Sequence, residues 1–392
     1  MKIRTACAAI ALSAAFASLP ASAADRIKIG FLSTLTGPAA FLGKDMVNGA
    51  QLALESLGGR MGPLPAELIV EDDQLYPKTG VQKTRKLLES DKVNLLAGMI
   101  FGNVTAAVSG VAMKSGLITV ATVGSIPNIM GQECNPNYFT MAWAIDSNYE
   151  ALASYLNGAG IKSVALMAPN YVAGKLVQAG FARGYKGKVV AEIFTKIDQP
   201  DYSVEIGEVR AKKPEAVVAF YPGGMGINFL KQYKASGLMD SVPVYSSVFI
   251  ADESTFPALG DIPLGMITTS NWSPELDNPA NRKFVAEFRK KHGARPTSMA
   301  AMGYDTVMLV AAAVRDVKGR VEDTDTLRAA LRKADFQSVR GSFRFNQNHF
   351  PVQSYYLNQV ARDSSGKLYN KLLGVAQKDV VDAFSRNCPM KW

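Results

Sequence analysis

Three carboxylates in a row, Glu71-Asp72-Asp73, form the most tempting carboxylate cluster in the chain. A general acid and a general base must converge on one substrate atom. Neighbours at a strand end point to alternate faces, so these three make no catalytic pair on their own. The only two histidines, His292 and His349, lie in no triad context, and no Gly-x-Ser-x-Gly elbow is present. Two histidines and three cysteines cannot assemble a His/Cys metal cluster at ordinary spacing. Gly223-Gly224-Met225-Gly226 follows a β-like apolar run and lets backbone approach a ligand. It lacks the Gly-Lys-Ser/Thr end of a phosphate loop, which argues against nucleotide binding. The expectation is a protein without catalysis, metal or cofactor.

Other residues suit binding of an anion. Phe101-Gly102-Asn103-Val104-Thr105 follows a strand-like run and opens a helical pattern. Gly102 permits close approach, and the free N–H groups at the positive helix end favour a carboxylate. The competing reading is ordinary capping by Asn103. Ser125, after Val123-Gly124, adds a hydroxyl donor to the same anion, or is only a turn residue ahead of Pro127.

The first residues bound where this chemistry takes place. Lys2 and Arg4 precede the apolar stretch Ala8–Ala17, and Ala21-Ser22-Ala23 offers small residues to a signal peptidase, so residues 1–23 are expected to be a cleaved export signal. The apolar stretch is too short and alanine-rich for a membrane anchor, and Cys7 stands too early to carry a lipid. Cys134 and Cys388 remain, and in an oxidising compartment an even pair is expected to form a disulfide pinning the C-terminal tail to the body. The net charge of +9 falls to about +7 without Lys2 and Arg4, and is spread thinly. No basic stripe with interleaved aromatics argues for nucleic acid.

The elements that must position these residues alternate. From Ile27 to Val120, β-rich runs (Ile27–Leu32, Glu67–Val70, Asn94–Ala97, Leu117–Val120) are separated by helical patterns, which implies right-handed crossovers and a parallel sheet. After a break between Gly124 and Asn137 the pattern restarts and runs to Val242–Tyr245. Three helices follow (Asn278–Lys291, Ser298–Val314, Asp325–Lys333), then β-like segments at Ser342–Phe345 and Gln353–Val360. The length exceeds one core's comfortable size. The expected architecture is α/β, with two Rossmann-like lobes built on parallel central sheets.

The stretch Gly30 to Gly43, with its Thr36-Gly37-Pro38 turn and Phe41-Leu42-Gly43 step into a helix bearing Asn48-Gly49-Ala50, resembles the opening of the periplasmic leucine/isoleucine/valine-binding proteins. These are the type I solute-binding components of ABC importers. Glu71–Gln74 with Pro77, Leu96–Thr105, Gly116–Ile118, Asn170–Gly174 and Gly303-Tyr304-Asp305 extend the resemblance in the right order along the mature chain. It implies a periplasmic receptor, expected to be a monomer, delivering a small organic acid to a membrane permease; a sensory role on the same fold is the alternative. It implies lobes at 24–145 plus 273–350 and 146–272 plus 351–392, joined by a three-strand hinge and closing on a ligand between them. The ends of the strands then bring together Phe41, Phe101, Gly102, Asn103, Val123, Gly124, Ser125, Tyr171, Gly224, Met225 and Phe249.

One departure narrows the ligand. Amino-acid-binding relatives place an acidic residue after the strand matching Val242–Tyr245, to hold the ammonium. Here Phe249 falls at or beside that place, and an ammonium buried there without a carboxylate is costly. An aromatic acid of the benzoate or hydroxycinnamate kind is expected. Asp252, three residues on, leaves an amino-acid ligand open.

Overall fold

The computed structural model describes residues 25–124, 126–197 and 199–391, so the expected export signal and Ser125 lie outside the described residues. The first half alternates β1 (Ile27–Ser33), α1 (Ala40–Ser56), β2 (Arg60–Met61), β3 (Leu64–Asp72), α2 (Pro77–Glu89), β4 (Leu95–Gly98), α3 (Gly102–Ser115), β5 (Thr119–Ala121), α4 (Pro127–Met130) and β6 (Tyr138–Thr140). Its six strands lie in the order β2-β3-β1-β4-β5-β6, all pairs parallel except β2 with β3. β4 and β5 are buried at every position, the signature of central parallel strands covered on both faces.

The second half repeats the scheme with α5 (Ile145–Gly158), β7 (Ser163–Pro169), α6 (Val172–Gly184), β8 (Lys188–Thr195), α7 (Ser203–Lys212), β9 (Ala216–Ala219), α8 (Gly224–Ala235), β10 (Val244–Ser247), α9 (Phe256–Leu259) and β11 (Ile267–Ser270). Then α10 (Pro279–His292), α11 (Ser298–Asp316) and α12 (Thr324–Lys333) return to the first half. The chain ends through β12 (Arg344–Phe345), β13 (Pro351–Arg362) and β14 (Leu368–Val380). β8, β7, β9, β10 and β11 are parallel neighbours, and β13, flanked by β12 and β14, joins β11 antiparallel. The chain therefore passes between the two sheets three times: after β6, after β11, and on entering β13.

The return of α11 rests on two glycines. A Cβ on Gly49 would stand 1.9 Å from the Ala300 carbonyl oxygen, and one on Gly303 would stand 2.0 Å from that of Met46. The backbones of α1 and α11 touch there, and α11 is buried along most of its length. Of the apolar face Val47, Ala50, Leu54 and Leu57 expected along α1, the first two are buried and the others half-buried; of Val104, Ala107, Val108 and Val111 in α3, Val104 and Val108 are buried and the others half-buried.

The tail divides differently from the expected boundaries. β13 and β14 belong to the second sheet, but the residues beyond them are tied to the first half. Cys134 is bridged to Cys388 with their Cα atoms 5.6 Å apart. Asn348 Nδ2 donates to the Met130 carbonyl (2.8 Å) and to Asp382 Oδ2 (2.9 Å), and Gln347 Nε2 donates to the Ser385 carbonyl (2.6 Å). The bridge closes a loop of 254 residues, so it removes much conformational freedom from the unfolded chain. Replacing both cysteines with serine should lower stability by about 2–4 kcal/mol in urea unfolding. In the wild type, alkylation of either cysteine should require prior reduction.

Candidate functional site

The carboxyl ends of the parallel strands in the two sheets face one another, as expected where ligands bind open α/β sheets. The loops after β4 and β5 in the first half, and after β7, β9 and β10 in the second, border a half-open cavity of about 500 Å³, open solvent included. Six of the residues singled out in the sequence line it: Phe101, Gly102, Val123, Gly124, Tyr171 and Phe249.

Its walls are aromatic. Trp143, in the first crossing between the sheets, stacks on Phe249 at 4.6 Å between ring centroids and 15° between planes. Tyr171 stacks on Phe220 at 6.3 Å, and Tyr149 meets Phe220 edge-on at 6.0 Å. Tyr149 holds this wall from behind. Its hydroxyl donates to the Ala219 carbonyl (2.8 Å) and accepts from the Ser247 amide (3.2 Å), tying the ends of β9 and β10 together. Burial pushes that hydroxyl up to about 12, so it stays protonated. Leu42, Ile100, Ile145, Ala173, Pro222 and Met299 complete the lining, and among the described residues none that lines it carries a charge.

At one edge of the cavity α3 begins. Phe101 is its N-terminal flanking residue, and no side chain caps it. Asn103 therefore lies in the first turn and does not cap the helix, and first-turn amides have no partner within a helix. Gly124 sits beside this edge with φ of 78°, and a Cβ there would stand 2.4 Å from Thr105 Oγ1. Gly124→Ala should cost about 1–3 kcal/mol in urea unfolding, because both the backbone conformation and the packing oppose a side chain.

Asn103, Gly224 and Met225 line a second, outer chamber with about 770 Å³ of space, walled from the first by Phe101, Tyr171 and Pro222. Phe41 lines neither chamber. Its Cζ lies 3.2 Å from where a Cβ on Gly223 would stand, and the Pro38 carbonyl oxygen lies 3.3 Å from the corresponding place on Gly224. The glycine run read as a place for backbone to meet a ligand thus also lets the two halves of the molecule meet.

The tempting carboxylates are occupied elsewhere. Asp72 Oδ1 accepts from the Leu35 amide (2.8 Å) and Oδ2 from Thr36 Oγ1 (2.7 Å), while Asp73 Oδ1 accepts from Thr34 Oγ1 (2.6 Å) and the Leu75 amide (2.8 Å). Glu71 pairs with Lys83 and Lys86, each at 2.7 Å. Together they shape the loop after β1. His349 stacks on Phe139 at 4.1 Å, and burial lowers it to about 4. Among the described residues no group of three or more His, Cys, Asp or Glu is arranged to hold a metal ion.

Asp252 is absent from the cavity lining. Its Oδ1 accepts from the Ser254 amide (3.0 Å), Ser254 Oγ (2.5 Å) and the Thr255 amide (3.3 Å), closing its own turn. Burial raises this carboxyl to about 7, above its ordinary 3.8, with Glu253 and Asp45 adding to the rise. The folded state therefore holds a proton that the unfolded chain releases first. This favourable term is fully present below about pH 4 and is lost as pH rises through about 7. Asp252→Asn should remove this share of the pH dependence. Between pH 4 and 7 the wild type should lose about 2–4 kcal/mol relative to the variant in unfolding titrations.

Two largely parallel sheets with their carboxyl edges facing across a half-open apolar cavity define a cleft-type binding protein. The profile of the periplasmic binding protein family matches residues 26–367, and the chain belongs to that family. The Leu/Ile/Val-binding protein homolog 6 of Brucella melitensis is 27% identical over 380 residues, covering 94% of this chain and 97% of the relative. A solute-binding protein of an ABC transporter from R. palustris, solved with benzoate, superposes with a TM-score of 0.87 at 30% identity, over 93% of this chain and 100% of that one. A second, from Rhodopseudomonas palustris BisB5 with 3,4-dihydroxybenzoic acid, gives 0.86 at 27%, over 92% and 99%. The family and these relatives are solute-binding proteins of the type I α/β architecture.

The structure brings together most of the residues expected at the cleft. Trp143, Phe220 and Pro222 were missed. Pro222 directly precedes the glycine run, which is a local signal; Trp143 lies between β6 and α5 with no pattern marking it.

Proposed function

We propose that the protein is the periplasmic receptor of an ABC importer, acting as an exported monomer that delivers a small aromatic carboxylate to a membrane permease. The observation that carries this reading is the uncharged, aromatic lining of the cavity beside the uncapped start of α3. The Trp143–Phe249 and Tyr171–Phe220 pairs offer faces against which a benzoate or hydroxycinnamate ring would stack, adding to area burial. The carboxylate lies at the first-turn amides of α3, near Gly102 and Asn103, with the Ser125 hydroxyl as a further donor. An α-amino group would find no carboxylate in the lining, because Asp252 is spent on its own turn. The lobes of this reading are 24–145 plus 273–350 and 146–272 plus 351–380, with the end of the tail assigned to the first. No catalysis is assigned to the site.

The name of the Brucella relative supports the second reading, a branched-chain amino-acid receptor. A thermal-shift and calorimetric screen separates the two. Benzoate, 4-hydroxybenzoate and 4-hydroxycinnamate should raise the melting temperature, by about 2.7 kcal/mol of added stability at ligand 100 times above Kd. Leucine, isoleucine and valine should leave it unchanged. The largest shift from a branched-chain amino acid would overturn the aromatic-acid reading.

A further inference from the structure

Away from the cavity, the two halves of the molecule meet along a second seam with charged side chains. Arg295 stands on the first half, between the end of α10 and the start of α11. That segment is anchored: Thr297 caps α11 and its Oγ1 donates to Asp45 Oδ2 on α1 (3.0 Å), while Phe284 of α10 packs on Tyr304 of α11 at 4.7 Å. Arg295 reaches out of it to the hairpin of β13 and β14. Its Nη2 donates to Asp363 Oδ2 at 3.0 Å, and its guanidinium lies 4.5 Å from the centre of the Tyr369 ring.

The acceptor is prepared for this contact. Asp363 Oδ1 is taken by the Ser365 amide (2.9 Å), Ser365 Oγ (2.7 Å) and the Lys367 amide (3.1 Å), which aims Oδ2 at Arg295. Both partners are largely shielded, with side-chain exposures of 21% and 17%. Arg295 also faces Glu253, a second carboxylate of the second half, held by the Asn370 amide (2.9 Å) and Nδ2 (3.3 Å). Glu253 and Asp252 in turn face Asp45 across the seam, so closing the halves brings carboxylates together. Arg295 offsets part of this repulsion through Glu253.

We infer that Arg295 is a positioning residue for ligand capture: its ion pair with Asp363 and its seat on Tyr369 hold the two halves together and so set the affinity of a cavity it does not line. Binding requires the closed form, so the apparent Kd rises in inverse proportion to the closed fraction. The latch rests on the cleft being the ligand site, but its effect on shape is independent of which ligand binds.

The test uses the mature protein, benzoate as probe, and three variants: Arg295→Ala, Asp363→Asn, which keeps an acceptor for Ser365, and the pair together. Arg295→Ala should enlarge the radius of gyration of the ligand-free protein in small-angle scattering and weaken benzoate binding about tenfold. Asp363→Asn should do the same to a lesser degree. The double variant should be no worse than Arg295→Ala, the non-additivity of a direct pair. Unchanged scattering with unchanged affinity, or effects that simply add, would overturn the latch. If benzoate fails to bind the wild type, the aromatic-acid reading falls, and the scattering of the ligand-free variants still decides the latch.

Discussion

The architecture depends on one buried ion pair where the three crossings between the sheets come together. Asp305 of α11 is fully buried and accepts from Arg340 Nε (3.1 Å), Ser338 Oγ (2.6 Å) and the Val339 amide (2.9 Å). Arg340 Nη1 then donates to the Met141 carbonyl in the first crossing (3.1 Å) and to Gln353 Oε1 at the third (3.4 Å). Asn271 Nδ2, in the second crossing, donates to the same Gln353 oxygen (3.4 Å). Burial alone raises the Asp305 carboxyl and lowers the Arg340 guanidinium; each offsets the other, and removing one partner of such a pair typically costs about 3–5 kcal/mol. Three segments distant in sequence thus share one electrostatic knot.

That knot sets how the sheets can face each other, and the cavity follows from the facing. Trp143 belongs to the first crossing, and its ring stacks on Phe249 from the second half. Phe41 and Pro38 lie against Gly223 and Gly224 at the mouth. The cavity is therefore shared between halves: the start of α3 borders it from one side, and Tyr171, Phe220 and Phe249 line it from the other. The charged seam around Arg295 lies outside this apolar volume.

Local features were legible wherever period and punctuation agreed. The central strands read as short apolar runs, and α1 and α3 showed one apolar face. The longest strand, β14, was not legible. Leu368–Val380 is an edge strand paired only with β13, its pattern interrupted by bulges, with exposed leucine and valine among its polar residues. β6 and β11 were missed as well: Tyr138–Thr140 directly follows the loop-rich break, and Ile267–Ser270 is mostly threonine and serine, so neither presents an apolar run.

The alternation of strands and helices and the loops carrying Phe101–Asn103, Val123–Gly124 and Phe249 were legible in the sequence itself. Each depends on neighbours within one element: propensity, spacing, or a backbone that tolerates no Cβ. The tertiary structure alone decided that Trp143 stacks on Phe249, that Gly223 and Gly224 meet Phe41 and Pro38, and that Asp252 turns inward to its own loop. It also decided that Arg295 finds Asp363 and that α1 meets α11 at Gly49 and Gly303, whereas the return of the tail to Cys134 was already expected from the even cysteine pair. These are contacts between segments far apart in the chain, and no local pattern of residue types encodes which distant partner will close the distance.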